Sequence, residues 1–261
     1  MTDTLPSFEK PPVNEVVMGV QFDSLEGLLA PHLGKFWALV QSDYPSCSEN
    51  PPIIPQIEDF GSQGAVRQGQ ISFELRPDLP RVFFEDLSGQ WLIQIQRDRF
   101  LHNWRVARNG AEYPRYPEVS TRFFKQWERF RGFVTESNLG TIRINQLEIT
   151  YLNRIPLASS KLSDAFPDFH WRDQKRFLSR PEAMNVSCSF KSEGTPKRLR
   201  ATIKPAIQQD QHELLFELTV RGSLHAQELP IDWFAEGRAW IVKAFADLTS
   251  PEWHTKWKRV T

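Results

Sequence analysis

Apolar and polar residues alternate along EVVMGVQF (15–22), putting Val16, Met18, Val20 and Phe22 on one side; this is the period of a half-buried strand. From 25 to 42 the period changes. Leu29, Leu33, Phe36, Trp37 and Val40 recur at helical spacing and predict an amphipathic helix, ended by Pro45, Pro51, Pro52 and Pro55. Short strands are expected near 53–58, 70–75 and 81–87. A clear hairpin follows: QWLIQIQR (90–97), a turn at Asp98–Arg99, then FLHNWRV (100–106). Beyond Pro114 and Pro117, a stripe of Val119, Phe123, Trp127, Phe130 and Val134 predicts a long helix over 118–135.

A second series begins with INQLEITYLNRI (144–155), in which Leu147, Ile149, Tyr151 and Asn153 point inward. A short helix or irregular turn is expected over 159–178, strands over 184–191, 197–204 and 212–221, and a long helix over 230–248, stopped by Pro251. The two series look like one series used twice: the strand at 15 lies beside the strand at 147, QWLIQIQR beside HELLFELT, and the helix after Pro117 beside the helix after Pro230. The expected organisation is a Pro-rich leader over 1–12, a first α+β half over 13–140 and a second over 141–261, packed as one continuous unit. The order strand, helix, antiparallel strands, long helix is that of TATA-box-binding-protein-like and helix-grip folds. The expected fold is therefore α+β: two duplicated halves building one curved antiparallel sheet with helices on one face.

Several strings along the chain also resemble a sporadically distributed bacterial protein family of about 250 residues. They are PPVNEVVMGVQFDSLEGLLAPHLGKFW, WLIQIQRDRFLHNWR, YPRYPEVSTRFFKQWERF, LEITYLNRI and AWIVKAFADLTSPEWHTKWKR. The resemblance spans nearly the whole chain but implies no reaction, cofactor or substrate. Its patchy distribution points to an accessory, toxin–antitoxin or defence-type role.

Composition narrows the class. With 261 residues, 40% of them apolar, nine Trp and nineteen Phe, the chain has ample material for a core. Thirty-two basic and thirty-two acidic side chains cancel, which removes the simplest case for a general nucleic-acid binder or a polybasic membrane protein. MTDTLPSFEKPP has neither the basic nor the apolar region of a secretory signal, and no apolar stretch approaches the ~20 residues of a membrane span. A cytoplasmic location is expected. Cys47 and Cys188 stand far apart without CxxC spacing or a nearby His partner, so neither a disulfide scaffold nor a zinc site is expected.

The dinucleotide, P-loop, nucleophile-elbow and zincin motifs are all absent, and the six histidines are scattered; no cofactor or metal is implied. The densest local constellation is RDRFLHNWR (97–105). Its arginines are suited to phosphate or carboxylate, and His102 to proton transfer. Alternation nevertheless places His102 inward beside Phe100 and Trp104, as a hydrogen-bonded core histidine. Between 97 and 131 there are nine basic and four acidic side chains, a local charge of +5, interleaved with aromatics. Such a stretch serves single-stranded nucleic acid or simply forms the solvated face of a helix. A second basic cluster, Lys197, Arg198, Arg200 and Lys204, is expected on an outward strand face. Glu58-Asp59 and Glu85-Asp86 read as solvated turn residues, and Glu148 and Glu217 as a cross-strand charge network or the floor of a groove. Trp253 and Trp257, four apart, either cap the core or present a hot spot to a partner.

The outward face of the expected sheet supplies the candidate binding residues: Gln94, Gln96, Asn103, Arg105, Glu148, Arg154, Arg198, Arg200, Lys204, Glu217 and Arg221. No catalytic set emerges. The favoured reading is a binding module that engages a protein partner through this face, since balanced charge of both signs suits a protein interface. Nucleic-acid binding by the same face is the alternative, and an enzyme or sensor of a phosphorylated small molecule the third.

Overall fold

A computed structural model describes residues 4–58, 60, 66–68, 79–107, 110, 112–157, 161–169, 177, 181, 183–208, 211–225 and 227–261. The elements, in chain order, are β1 (Val13–Phe22), α1 (Ala30–Val40), β2 (Ser46–Asn50), β3 (Gln56–Glu58), β4 (Val66–Gln68), β5 (Arg81–Glu85), β6 (Trp91–Gln96), β7 (Arg99–Arg105) and α2 (Tyr116–Glu136). There follow β8 (Ile144–Pro156), α3 (Leu162–Ala165), β9 (Val186–Lys191), β10 (Lys197–Gln208), β11 (Gln211–Gly222), α4 (Pro230–Leu248) and α5 (Pro251–Lys256). Nine strands form one antiparallel sheet in the order β2-β5-β6-β7-β1-β8-β11-β10-β9, and β3 pairs with β4 separately. The class is α+β. The strand expected at 70–75, and part of the region expected to turn over 159–178, lie outside the described residues.

Strand alternation divides the sheet into two unlike faces. Val16, Met18 and Val20 of β1 pair with Trp104, His102 and Phe100 on one side and with Tyr151, Ile149 and Leu147 on the other, and all of these are buried. On this face α2 packs over β7 and β1, and α4 over β8 and β11. α1 joins through Phe36, whose ring meets Phe84 and Phe130, and α3 through Phe166 against Phe216 at 4.8 Å. Phe123 of α2 meets Phe234 of α4 edge-on at 5.0 Å, so one aromatic core runs unbroken beneath both long helices. Trp257 is buried against Phe245 and Trp253 against Trp257, and the two cap this core. No helix among the described residues is long and apolar enough to cross a membrane.

Outward from the central β1–β8 pair, the first half runs β7, β6, β5 and the second β11, β10, β9. The strand next to the centre and directly before the long helix is therefore β7 in one half and β11 in the other. QWLIQIQR forms β6, the second strand out from the central pair, whereas HELLFELT lies in β11, next to it; the two strings alternate alike but do not take the same place in the strand order. Two boundaries also move. Helix α1 starts at Ala30 instead of near residue 25, since Pro31 fits only a first turn; His32 Nδ1 there accepts the Leu29 N–H at 3.1 Å. Before it the chain bends under Leu139: a Cβ on Gly27 would meet the Leu139 carbonyl oxygen at 2.5 Å, so glycine is required. Strand β2, not expected, is an edge strand of polar residues flanked by Pro45 and Pro51. Residues 4–12 pair with the C-terminal end: Glu9 and Lys10 donate to the Lys258 and Trp257 carbonyls, and Phe8 is buried against Phe245.

Candidate functional site

All eleven candidate binding residues lie on the sheet face turned away from the helices, at strand positions that alternate with the core residues. They divide by surroundings. In the first half they are consumed by one another: Gln94 Nε2 donates to Asn103 Oδ1 at 2.8 Å, Asn103 Nδ2 donates to Glu15 at 2.5 Å, and Arg81 donates to Gln94 Oε1 at 3.0 Å. Gln94, Gln96 and Asn103 are buried although they face away from the helices. Arg105 bonds Glu85 at 2.6 Å and the Gly89 carbonyl at 3.0 Å, so Glu85 is a salt-bridge partner and only Asp86 keeps the expected turn role, accepting the Gln90 and Trp91 N–H groups. In the second half Arg154 pairs with Glu213 at 2.9 Å, and Thr150 and Thr219 share a hydroxyl bond at 2.8 Å, while Lys204 and Glu217 are exposed. Lys197 is on the opposite face from Arg198, Arg200 and Lys204, as strand alternation demands of an odd neighbour. It is buried at the helix layer, bonded to Glu228 at 2.6 Å and to Glu236.

What fills this face is the chain itself. After β2 the segment 51–58, whose last three residues are β3, crosses it, and two glutamines hold its backbone. Gln96 accepts the Ile53 N–H and donates to the Ile53 carbonyl, both at 2.8 Å. Gln146 accepts the Glu58 N–H at 2.9 Å and donates to the Gln56 carbonyl at 2.8 Å. A primary amide matches a peptide's donor and acceptor pair, and these four bonds read backbone irrespective of side chain. The segment ends in a cage of arginines. Arg198 donates to Glu58 Oε2 at 2.8 Å, Arg200 donates to both carboxylate oxygens at 2.8 and 2.9 Å, and Arg221 stands 3.6 Å away while bonding Glu148. Phe60 then lies against the Arg198 guanidinium, 5.0 Å from ring centre to Cζ.

The Glu58 side chain is fully buried, which corrects its expected place at a solvated turn. Burial alone would raise its pKa. Hydrogen bonds from Arg200 and Arg198, with the charges of Arg200 and Arg221, outweigh that and hold it below the ordinary carboxylate value. The cage is thus built for a permanently ionised carboxylate and for no proton transfer. His102 is equally unsuited to acid–base work: it is buried, hydrogen-bonded to the Tyr44 hydroxyl at 2.9 Å and stacked on Trp91. Burial, helped by the Arg122 charge, pushes its pKa down to about 3.

No family model, curated protein or solved structure matches the chain.

Sequence reasoning missed Glu58 and Gln146. Glu58 meets its arginines about 140 residues away in sequence, so no local spacing announces the cage. One local signal was legible: Pro51, Pro52 and Pro55 bias the segment, including the residues before each proline, toward extended backbone.

Proposed function

We propose that this chain is a non-enzymatic binding protein whose polar sheet face takes an extended, acidic segment of a protein partner, in the groove that its own residues 51–58 fill here. The observation that carries this reading is the recognition chemistry of the groove. Gln96 and Gln146 grip backbone, which any partner peptide supplies, and the Arg198–Arg200–Arg221 cage selects a carboxylate. Peptide capture of this kind gains affinity from main-chain bonds and specificity from a side-chain pocket. Glu148, Glu213 and Glu217 stand on the same face, and that mixture of signs favours a protein segment over a nucleic-acid polyanion. We further propose that the two halves are duplicated TATA-box-binding-protein-like units; the shared element order and the central β1–β8 pair support this.

The test uses the whole chain and a labelled peptide, PPIIPQIEDF, copied from the segment. The Glu58→Ala variant, whose own segment is loosened, should bind it at least tenfold more tightly than the parent. A peptide with Gln for Glu should bind that variant at least tenfold more weakly, and Arg200→Ala should abolish the difference. Equal binding of both peptides, or none to Glu58→Ala, would overturn the proposal. Salt-sensitive binding of a single-stranded oligonucleotide with no peptide binding would install the nucleic-acid reading instead.

A further inference from the structure

On the other side of the sheet, between α4, the start of α2 and the N-terminal segment, is a cavity of about 340 Å³ that the groove does not use. Its walls are apolar in larger part, with Phe8, Leu218, Ile241 and Phe245 prominent, and tyrosines and two arginines stand among them. Tyr113 and Tyr151 share a bond between hydroxyls at 2.9 Å. Only one of the two can donate in that bond, so the other keeps a proton with no acceptor among the described residues. Arg238 lines the same cavity. Its guanidinium lies 5.6 Å from the Tyr116 ring centre and has no carboxylate partner among the described residues. A cation and a spare O–H donor in a mostly apolar, half-open cavity are an incomplete set.

We infer that this cavity is a binding site for a small monocarboxylate with an apolar body of one or two rings. Arg238 would take the carboxylate, the free phenol proton would bond one of its oxygens, and Phe8, Leu218 and Phe245 would sandwich the body. A volume near 340 Å³ falls at the lower end of small-molecule pockets, too small for a nucleotide with its phosphates. Arg115, the other arginine at the cavity, already donates to the Phe8 and Glu9 carbonyls at 2.8 Å each, which leaves Arg238 as the guanidinium to bond the carboxylate while both cations favour an anionic ligand. Burial keeps the phenols protonated as donors, with that of Tyr116 pushed up to about 12. Arg115 further marks the site: its backbone, at φ 76° and ψ 158°, occupies a region that suits glycine, and it is held there while its side chain clamps residues 8–9 over the cavity.

The test is ligand-observed saturation-transfer NMR and calorimetry on the whole protein. The probes are benzoate, 3-phenylpropionate and indole-3-acetate, each beside its neutral amide. At least one acid should bind saturably and at least tenfold more tightly than its amide. Arg238→Gln should remove that preference, Arg238→Lys should keep part of it, and Tyr151→Phe should weaken the acid severalfold. Val242→Trp, at the cavity wall, should block binding with the far-ultraviolet circular dichroism unchanged, which guards against loss of fold. The inference is overturned if acid and amide bind alike, if Arg238→Gln binds as the parent does, or if no acid binds up to about 5 mM, where a millimolar site would be mostly filled.

Discussion

Replacing Glu58 by Gln keeps the shape of the side chain and removes its charge. Three guanidinium bonds of 2.8–2.9 Å then lose their ionic acceptor, one of them from Arg198, whose side chain is only 4% exposed. Removing one member of a buried ion pair costs about 3–5 kcal/mol. Arg200 and Arg221, at 21% and 12%, reach some water, and Gln still accepts a hydrogen bond, so about 2–3 kcal/mol is the better figure here. That loss falls first on the docking of residues 51–58, because the segment can lift while the nine-stranded sheet stays intact. At 1.4 kcal/mol per decade, the segment's opening constant rises by roughly 30- to 150-fold. Amide hydrogen exchange reads this directly: the Ile53 and Glu58 N–H groups, held by Gln96 and Gln146, should exchange faster by that factor, and the Met18 and Ile149 amides in the central pair should not. Exchange at Ile53 and Glu58 within threefold of the parent would refute the energetic role given to the cage.

Four further outcomes are expected. Because the folded pKa of Glu58 is depressed, its contribution is complete above the unfolded value near 4.5 and is lost as pH falls through the lower folded value; urea midpoints of the parent should therefore drop more steeply below pH 4.5 than those of Glu58→Gln, and parallel profiles would count against this. His102 has a folded pKa of about 3, so the unfolded chain takes a proton below pH 6.5 that the folded chain refuses, and stability should fall by up to about 1.4 kcal/mol per pH unit from there; His102→Gln should flatten that slope, and an unchanged slope would contradict the buried neutral histidine. A Cβ at Gly222 would stand 1.9 Å from the Pro196 carbonyl oxygen, so Gly222→Ala should destabilise by roughly 2–4 kcal/mol in denaturant unfolding, and a loss under ~0.5 kcal/mol would mean that this turn yields. Lys197→Met strands the Glu228 carboxylate and should cost about 2–4 kcal/mol, of which the double variant with Glu228→Gln should recover more than half; additive losses would argue against a coupled pair.

Much of the sheet was legible because alternation is a local signal. The 90–106 hairpin, the central strands and both long helices follow from period alone, and so does the side of the sheet on which Arg105, Arg198 or Glu217 stands. Where period is silent, the reading failed: Ser46–Asn50 has no apolar side to betray an edge strand, and the start of α1 turns on Pro31 and not on the apolar stripe. Alternation also shows which side chains face away from the helices without showing what covers them. Gln94 and Asn103 close on each other, while Gln96 and Arg198 are covered by residues that come from elsewhere in the chain. Glu58 looked like a turn residue because its three arginines sit on β10 and β11, brought beside it only by the assembled sheet.

The groove itself is tested most directly by exchange of the segment 51–58 in the parent protein, with and without excess of an acidic peptide such as PPIIPQIEDF. If the polar face takes partner peptides, saturating peptide should displace the segment, speeding exchange at the Ile53 amide at least tenfold, and the Glu-to-Gln peptide should leave it unchanged. If the acidic peptide binds nowhere and the Ile53 amide stays protected, the segment is a fixed part of the fold and the polar face is not a binding groove.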